Sequence, residues 1–264
     1  MDVPPISPAL AHERESRAFA AEIKFIITTA MAESIREWTS GRLAPDPHSS
    51  PGMDSAYQIT SLYFDTERFE VFHRQGSFGR SKYRIRRYGR SDMLFLERKL
   101  KTRGLLSKRR SVIPAAQLDA LASPELEREW AGEWFRRRLL ARRLRPVCEI
   151  SYCRTARVSW TSSGPARLTL DRDVRAQAVD RMAFGASSPA SLLVENGVIL
   201  ELKFRGTMPA LFKLLMEEFA LTPEPVSKYR LAMMRLGLVR PGAQRISIDD
   251  GGSGGFRTPQ IFHV

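Results

Sequence analysis

Charged and apolar residues alternate along much of this chain, and in several segments the charges fall two apart. In Leu200–Glu201–Leu202–Lys203–Phe204, apolar residues take every second place and charges fill the gaps. The same spacing recurs at Glu22/Lys24, Arg84/Arg86, Glu97/Lys99 and Lys108/Arg110, and Arg154 and Arg167–Asp171 lie in similar settings. Side chains two apart on a strand share a face. Each segment therefore predicts a strand with one apolar and one strongly charged face.

Read this way, the chain predicts a strand at Phe19–Thr28, helical spacing through Met31, Ile35 and Trp38, and a Pro/Ser/Gly-rich loop from Ala44 to Met53. Tyr57–Asp65 alternates as a strand, Asp65–Arg68 is a turn, and Phe69–Arg74 is a short strand or helical turn. Ser81–Tyr88, Met93–Lys101 and Leu106–Ile113, joined by short polar links, predict an antiparallel meander. Ala115–Arg145 reads as helical, with Leu118, Leu121, Leu126, Trp130, Trp134, Leu139 and Leu140. Strands resume at Val147–Trp160, Ala166–Val174 and Leu192–Phe204, and helices follow at Pro209–Phe219 and Val226–Leu236. Residues 1–16 predict a flexible lead, 17–238 one folded domain, and 239–264 a glycine-rich flexible tail.

These elements define an α+β fold with a large antiparallel sheet. Alternation alone leaves two architectures open, since an open sheet with one solvated face shows the same period. A solvated face usually mixes Ser, Thr, Lys, Glu and Gln, whereas these positions are dominated by arginine and lysine with a few carboxylates. That composition favours a closed antiparallel β-barrel with a charged lumen, its apolar outer face covered by flanking helices.

Charge sharpens the expectation. The 264 residues carry a formal net charge of +13, which favours an anionic partner, and the 43% hydrophobic share suffices for a substantial core. Cys148 and Cys153 fall on one predicted strand, where five residues span about 16 Å, too far for a disulfide. Unpaired cysteines fit a reducing compartment. With no basic-then-apolar leader and no apolar run of membrane-spanning length, the expectation is a cytoplasmic protein.

Familiar catalytic signatures are missing. There is no GxxxxGK[ST] loop, no GxSxG elbow and no aromatic RNA platform, and His12, His48, His73 and His263 are scattered without metal-ligand spacing. No nucleic-acid partner is expected. What remains is the set of inward charges. Arg84 and Arg86 offer planar forks for phosphate oxygens, and Lys24, Lys99 and Lys203 offer point charges. Glu22, Asp171 and Glu201 make sense beside phosphate as ligands for a divalent cation, although each taken alone also reads as a salt-bridge partner.

The stretches Ser61–Leu62–Tyr63–Phe64–Asp65–Thr66, Lys82–Tyr83–Arg84–Ile85–Arg86–Arg87–Tyr88–Gly89, Glu97–Arg98–Lys99, Leu200–Glu201–Leu202–Lys203 and Ser227–Lys228–Tyr229–Arg230 resemble the VTC domain. That domain is the polyphosphate polymerase branch of the CYTH-like triphosphate tunnel metalloenzymes, and the likeness runs from about residue 17 to 238. The resemblance implies a β-tunnel that binds ATP and polyphosphate and transfers the γ-phosphate to a growing polyphosphate chain. A divalent metal is implied as cofactor, Mn²⁺ in the usual case, with Mg²⁺ as the other choice. Lys24 resembles the lysine of the first tunnel strand, Arg84 and Arg86 the paired phosphate-binding arginines, and Lys99 the next strand's lysine. Lys108 and Arg110 fall in the following basic strand, in a register open to a slip of one or two residues. Tyr152 and Arg154 resemble a pair contacting nucleotide and phosphate, and Arg167 a further phosphate ligand. Glu201 resembles the metal-binding glutamate, and Ser227 and Lys228 a pair at the start of the last helix.

One departure matters. The wider superfamily often opens with Glu-x-Glu-x-Lys, but here the segment reads Ala20–Ala21–Glu22–Ile23–Lys24. The missing carboxylate tilts the reading from hydrolysis toward polymer synthesis. The alternatives are a metal-dependent triphosphatase and a non-catalytic module binding polyphosphate or nucleotide. No membrane-spanning or phosphate-sensing segment accompanies the domain, so any membrane link would run through a partner protein.

Overall fold

The computed structural model describes residues 14–15, 20–46, 56–78, 81–102, 105–123, 129–185 and 189–239. In chain order the elements are β1 (Arg14–Glu15), β2 (Ala20–Thr28), α1 (Thr29–Ser40), β3 (Ala44–Pro45), β4 (Tyr57–Asp65), α2 (Glu70–His73), β5 (Ser81–Tyr88), β6 (Met93–Thr102) and β7 (Leu105–Pro114). There follow α3 (Glu133–Ala141), β8 (Arg145–Thr161), β9 (Gly164–Ala178), β10 (Ser191–Leu192), β11 (Gly197–Arg205), α4 (Ala210–Glu218) and α5 (Lys228–Arg235).

One antiparallel sheet runs in the order β1-β7-β6-β5-β4-β8-β9-β11-β2, with β10 on β9 and β3 on β8. Its two faces are sorted as the alternation predicts, with hydrocarbon outside. Phe25, Leu168, Leu170, Leu200 and Leu202 pack with Ala32 and Ile35 of α1 and Phe212 and Leu215 of α4. On the other half, Leu62, Phe64, Ile85 and Leu96 share a cluster with Phe135 and Leu139 of α3. Phe64 meets Phe135 edge-on at 5.7 Å. Burying these outer faces provides the main driving force for folding, at about 25 cal/mol per Å² of apolar surface, and turns the charged faces inward.

Three expectations change. The sheet is not closed by hydrogen bonds: its path ends at β1 and β2, which do not pair among the described residues. The closed barrel is therefore not obtained by backbone pairing. Long side chains span where backbone does not, as Lys99 Nζ of β6 reaches Glu22 Oε2 of β2 at 2.6 Å. Among the described residues, the helical stretch expected over Ala115–Arg145 is two short 3₁₀ turns, Ala115–Gln117 and Asp119–Leu121, and then α3. Gly132 stands at the N-cap of α3, outside the helix interior that glycine would weaken. The strand expected over Leu192–Phe204 is split, because Asn196 turns through φ 51° between β10 and β11.

Phe69–Arg74 resolves as the helical turn α2, flanked by Phe69 and Arg74 in left-handed geometry. The meander is present as β5, β6 and β7. Cys148 and Cys153 both lie on β8 and are free thiols. Two residues of the expected lead, Arg14 and Glu15, add a short strand to the β7 edge. Residues 1–13, 47–55 and 240–264, which hold most of the lead, the loop and the tail, lie outside the described residues. Among the described residues no helix is long and apolar enough to cross a membrane.

Candidate functional site

Strand register brings the inward charges together. β5 presents Lys82, Arg84, Arg86 and Tyr88, and β6 sets Lys99 opposite Lys82 and Glu97 opposite Arg84. β7 then places Lys108 opposite Lys99 and Arg110 opposite Glu97. On the other wall Arg154 faces Asp171, and Glu201 lies between Thr169 and Lys24. Lys203 lies between Arg167 and Glu22. These strands surround a cavity of about 290 Å³ lined by eleven cationic side chains and three carboxylates.

Every residue expected at the site from sequence lines this cavity except Asp171 and Ser227. Lys108 and Arg110 both line the cavity. Tyr57, Tyr63, Lys82, Tyr88, Glu97, Thr169 and Tyr229 also line it and were not in the expected set. For Lys82, Tyr88 and Glu97 the signal was present, because each sits two residues from an expected inward residue. Thr169 carries no charge, and nothing in its type marks it.

The carboxylates organise the cations into two groups. Glu22 reaches Lys24 at 3.3 Å and Lys99 at 2.6 Å, while Glu201 reaches Lys228 at 2.9 Å, Lys24 at 3.1 Å and Arg154 at 3.6 Å. Burial pushes the Glu22 carboxyl up, but Lys24 and Lys99 outweigh it and hold it at about 2. Glu201 is likewise held well below the usual range, burial being overcome by Lys228, Lys24 and Arg154. The second group surrounds Glu97, only 2% exposed, which Arg84 meets at 2.6 Å, Arg110 at 3.4 Å and Lys108 at 3.6 Å. Burial again raises this carboxyl, and the surrounding Arg84, Arg86, Lys108 and Arg110 take it far below the usual range.

Asp171 lies on the inner face of β9, buried against Arg154 and Lys228. It is fully buried, takes a two-pronged contact from Arg154 at 2.6 and 2.7 Å, and meets Lys228 at 2.5 Å. Its oxygens are engaged by Arg154 and Lys228, as those of Glu22 and Glu201 are by their own cations, and it reaches the cavity through those two side chains. A bulge in the β8–β9 pairing at Tyr152, where Asp173 takes φ 49°, bends the hairpin at this point. Arg86 donates to Ser61 Oγ at 3.2 Å and to the Tyr152 hydroxyl at 3.1 Å.

Helix α5 packs on the inner face and supplies Lys228. Ser227 caps it, accepting from Arg230 N, and its hydroxyl also meets Lys82 Nζ at 2.9 Å. Tyr229 stacks on Tyr63 at 5.3 Å and hydrogen-bonds Asp65, whose carboxylate also accepts from Thr66, Val71 and Phe72 N. Arg230 donates to Phe72 O at 2.7 Å. The Ser61–Thr66 and Ser227–Arg230 motifs thus lock to each other, and that lock aims Lys228 at Glu201.

Lys82 meets the Ser227 hydroxyl and is surrounded mainly by other cations. Burial first, then Lys24, Lys99 and Arg84, bring its amine down to about 7. A bound polyanion favours the charged form, so binding above pH 7 should draw in a proton. In calorimetry of tripolyphosphate binding at pH 8, the apparent enthalpy should change with the ionisation enthalpy of the buffer, and Lys82→Met should remove that dependence. An enthalpy identical in all buffers for the parent protein would refute the assignment.

Glu22 and Glu201 are hard oxygen donors on paired strands, both held ionised. No group of three or more His, Cys, Asp or Glu suited to a metal exists among the described residues. Two carboxylates nevertheless fit a divalent cation that draws its other ligands from phosphate oxygens, the usual arrangement at triphosphate sites. Thr169, across from Glu201 and 4% exposed, holds a buried hydroxyl without a hydrogen-bond partner among the described residues. An unsatisfied polar group there fits a site completed by a ligand. A second, more open cleft of about 570 Å³ lies beside Trp130 and Trp134 of the outer surface and contains none of the expected residues.

The VTC domain family profile matches residues 19–236. No curated protein matches the sequence. Among solved structures, a candidate adenylate cyclase from Bacillus halodurans is similar at 15% identity and TM-score 0.49, over 78% of this chain and 92% of that one. A candidate adenylyl cyclase from Hippeastrum, described as having a dominant triphosphatase activity, is similar at 16% identity and TM-score 0.45, over 83% and 97%. A candidate adenylate cyclase from Vibrio parahaemolyticus follows at 12% identity and TM-score 0.45, over 82% and 98%.

Proposed function

The chain belongs to the VTC domain family, and from that premise we propose that it is a polyphosphate polymerase, moving the γ-phosphate of ATP onto the end of a polyphosphate chain. The observation that carries the reading is the imbalance of the lining, eleven cations against three carboxylates. That surplus exceeds what one nucleoside triphosphate neutralises, and it leaves cations for a second polyanion in the same cavity. A hydrolase, whose acceptor is water, has no use for them.

Phosphoryl transfer needs in-line positioning and charge stabilisation more than a protein nucleophile. Arg84, Arg86, Lys99, Arg154, Arg167 and Lys228 clamp phosphate oxygens, with Lys24, Lys108, Arg110, Tyr152 and Lys203 along the rest of the lining; Ser227 acts through Lys82 and the α5 cap. Glu201 and Glu22 would hold a divalent cation, Mn²⁺ or Mg²⁺, which would supply charge neutralisation on the transferring phosphate. The acceptor is an ionised phosphate oxygen, so no general base is required. With the cations facing inward, nucleic acid is not the partner.

The test is to incubate the purified chain with ATP and Mn²⁺ and resolve the products. Long phosphate chains with matching ADP are expected. ADP with free phosphate alone would identify a triphosphatase, and tight binding without turnover a binding module.

A further inference from the structure

The lining changes character along its length. On β5 the inner positions run Lys82, Arg84, Arg86, Tyr88, and the first and last are six residues apart, about 20 Å of strand. Beside Lys82 lies Lys99, which binds Glu22; this is the side of lysines and carboxylates. Around Tyr88 the side chains are aromatic. Its ring lies 6.0 Å from Tyr57 and 5.1 Å from Phe95, and Arg110 stacks 3.9 Å over Phe95. Tyr57 accepts from Arg167 at 2.8 Å, and Arg167 Nε has no hydrogen-bond partner among the described residues. These three rings are half-buried, unlike Tyr83 and Phe64 of the core. Inorganic phosphate has no use for half-buried rings. A nucleobase does, because aromatic and guanidinium planes stack on its π-face.

We propose that this aromatic end is a nucleoside platform and that it fixes the direction of the donor in the tunnel. The base rests on Tyr88 and Tyr57, the triphosphate lies along Arg86 and Arg84, and the terminal phosphate points toward Glu22 and Glu201. The assignment rests on the reading of the donor as a nucleoside triphosphate. In-line transfer puts the acceptor opposite the leaving group. An oxygen of the acceptor's terminal phosphate bonds to the γ-phosphorus as the bond to the β–γ bridging oxygen breaks, and ADP leaves with that electron pair. The polymer therefore enters from the lysine side, where Lys82, Lys99 and Lys108 present point charges that suit any register of a repeating chain.

The experiment compares metal-free affinities of the full chain for ATP and for tripolyphosphate, which shares the phosphates and lacks the nucleoside. The parent should prefer ATP. In Tyr88→Leu the ratio of ATP to tripolyphosphate affinity should fall about tenfold, whereas Tyr88→Phe, which keeps the ring, should hold it. Tyr57→Leu tests the second ring by the same ratio. A ratio unmoved in both leucine variants overturns the platform, as does a parent that binds the two ligands equally, and either result leaves the phosphate-binding tunnel standing. A parent that binds neither ligand overturns both readings.

Discussion

Replacing Glu201 with glutamine should lower Mn²⁺-dependent turnover by about 10²–10³-fold, the scale of losing one preorganised charge-stabilising element, without weakening metal-free triphosphate binding. The two halves follow from one geometry. Glu201 contacts Lys24, Lys228 and Arg154. Neutralising it leaves three cations with less counter-charge, so the cavity attracts a polyanion at least as well as before. What is lost is the oxygen donor that fits a cation between the wall and the phosphate. A merely structural glutamate would give the opposite pattern, with binding and turnover falling together as the cations lose their alignment. Calorimetry with tripolyphosphate in chelator and product formation in Mn²⁺ separate the cases. Undiminished turnover in Glu201→Gln would remove this residue from the metal site.

The inward charges were legible because a strand has a period of two and a slip of one residue reverses every side chain. Leu200 to Phe204 could not bury its leucines without turning Glu201 and Lys203 to the other face. The same parity held on β5, β6 and β7, where a helix or loop reading would have scattered the charges. Closure was another matter. Alternation reports which face a residue takes, but not whether the two edge strands meet, and that depends on stagger and on what fills the gap. Here Lys99 of β6 reaches Glu22 on the β2 edge, while β1 and β2 do not pair among the described residues. The long helix failed for a related reason. Leu118, Leu121, Trp130, Trp134 and Leu139 do pack on the core as a periodic stripe would, yet among the described residues two short turns and α3 achieve that burial.

At the site, sequence showed which groups carry charge but not which carboxylate pairs with which cation. Glu201 and Asp171 look equivalent in sequence, each an acid on the inner face of a neighbouring strand. Their depths separate them. Ser227 illustrates the converse. Its hydroxyl is satisfied by Arg230 N and Lys82, so its part in the site is to seat α5 and hold one lysine. The aromatic end escaped notice because Tyr57, Tyr88 and Phe95 belong to three different strands, and only the fold brings them together.

Replacing Asp171 with alanine should destabilise the protein by about 3 kcal/mol at pH 7, the lower end of the cost of removing one partner from a buried pair. For a domain of this size that corresponds to a fall in Tm of about 6–12 °C. The lower end applies because Arg154 and Lys228 keep a second partner in Glu201. The effect should also depend on pH in a definite sense. Burial raises the Asp171 carboxyl, but Arg154 and Lys228 outweigh it, so its folded-state pKa lies below the ordinary value. Between those two values the unfolded chain binds the extra proton. The stabilisation from Asp171 is complete above the usual carboxylate range and is lost as pH falls through the folded value. Glu22, held at about 2, behaves alike. The gap between parent and variant should therefore narrow in acid, as the parent loses what the variant lacks. Thermal melts of both proteins from pH 7 downward test both points. Equal melting temperatures at pH 7 would show that Asp171 does not hold Arg154 and Lys228 in place.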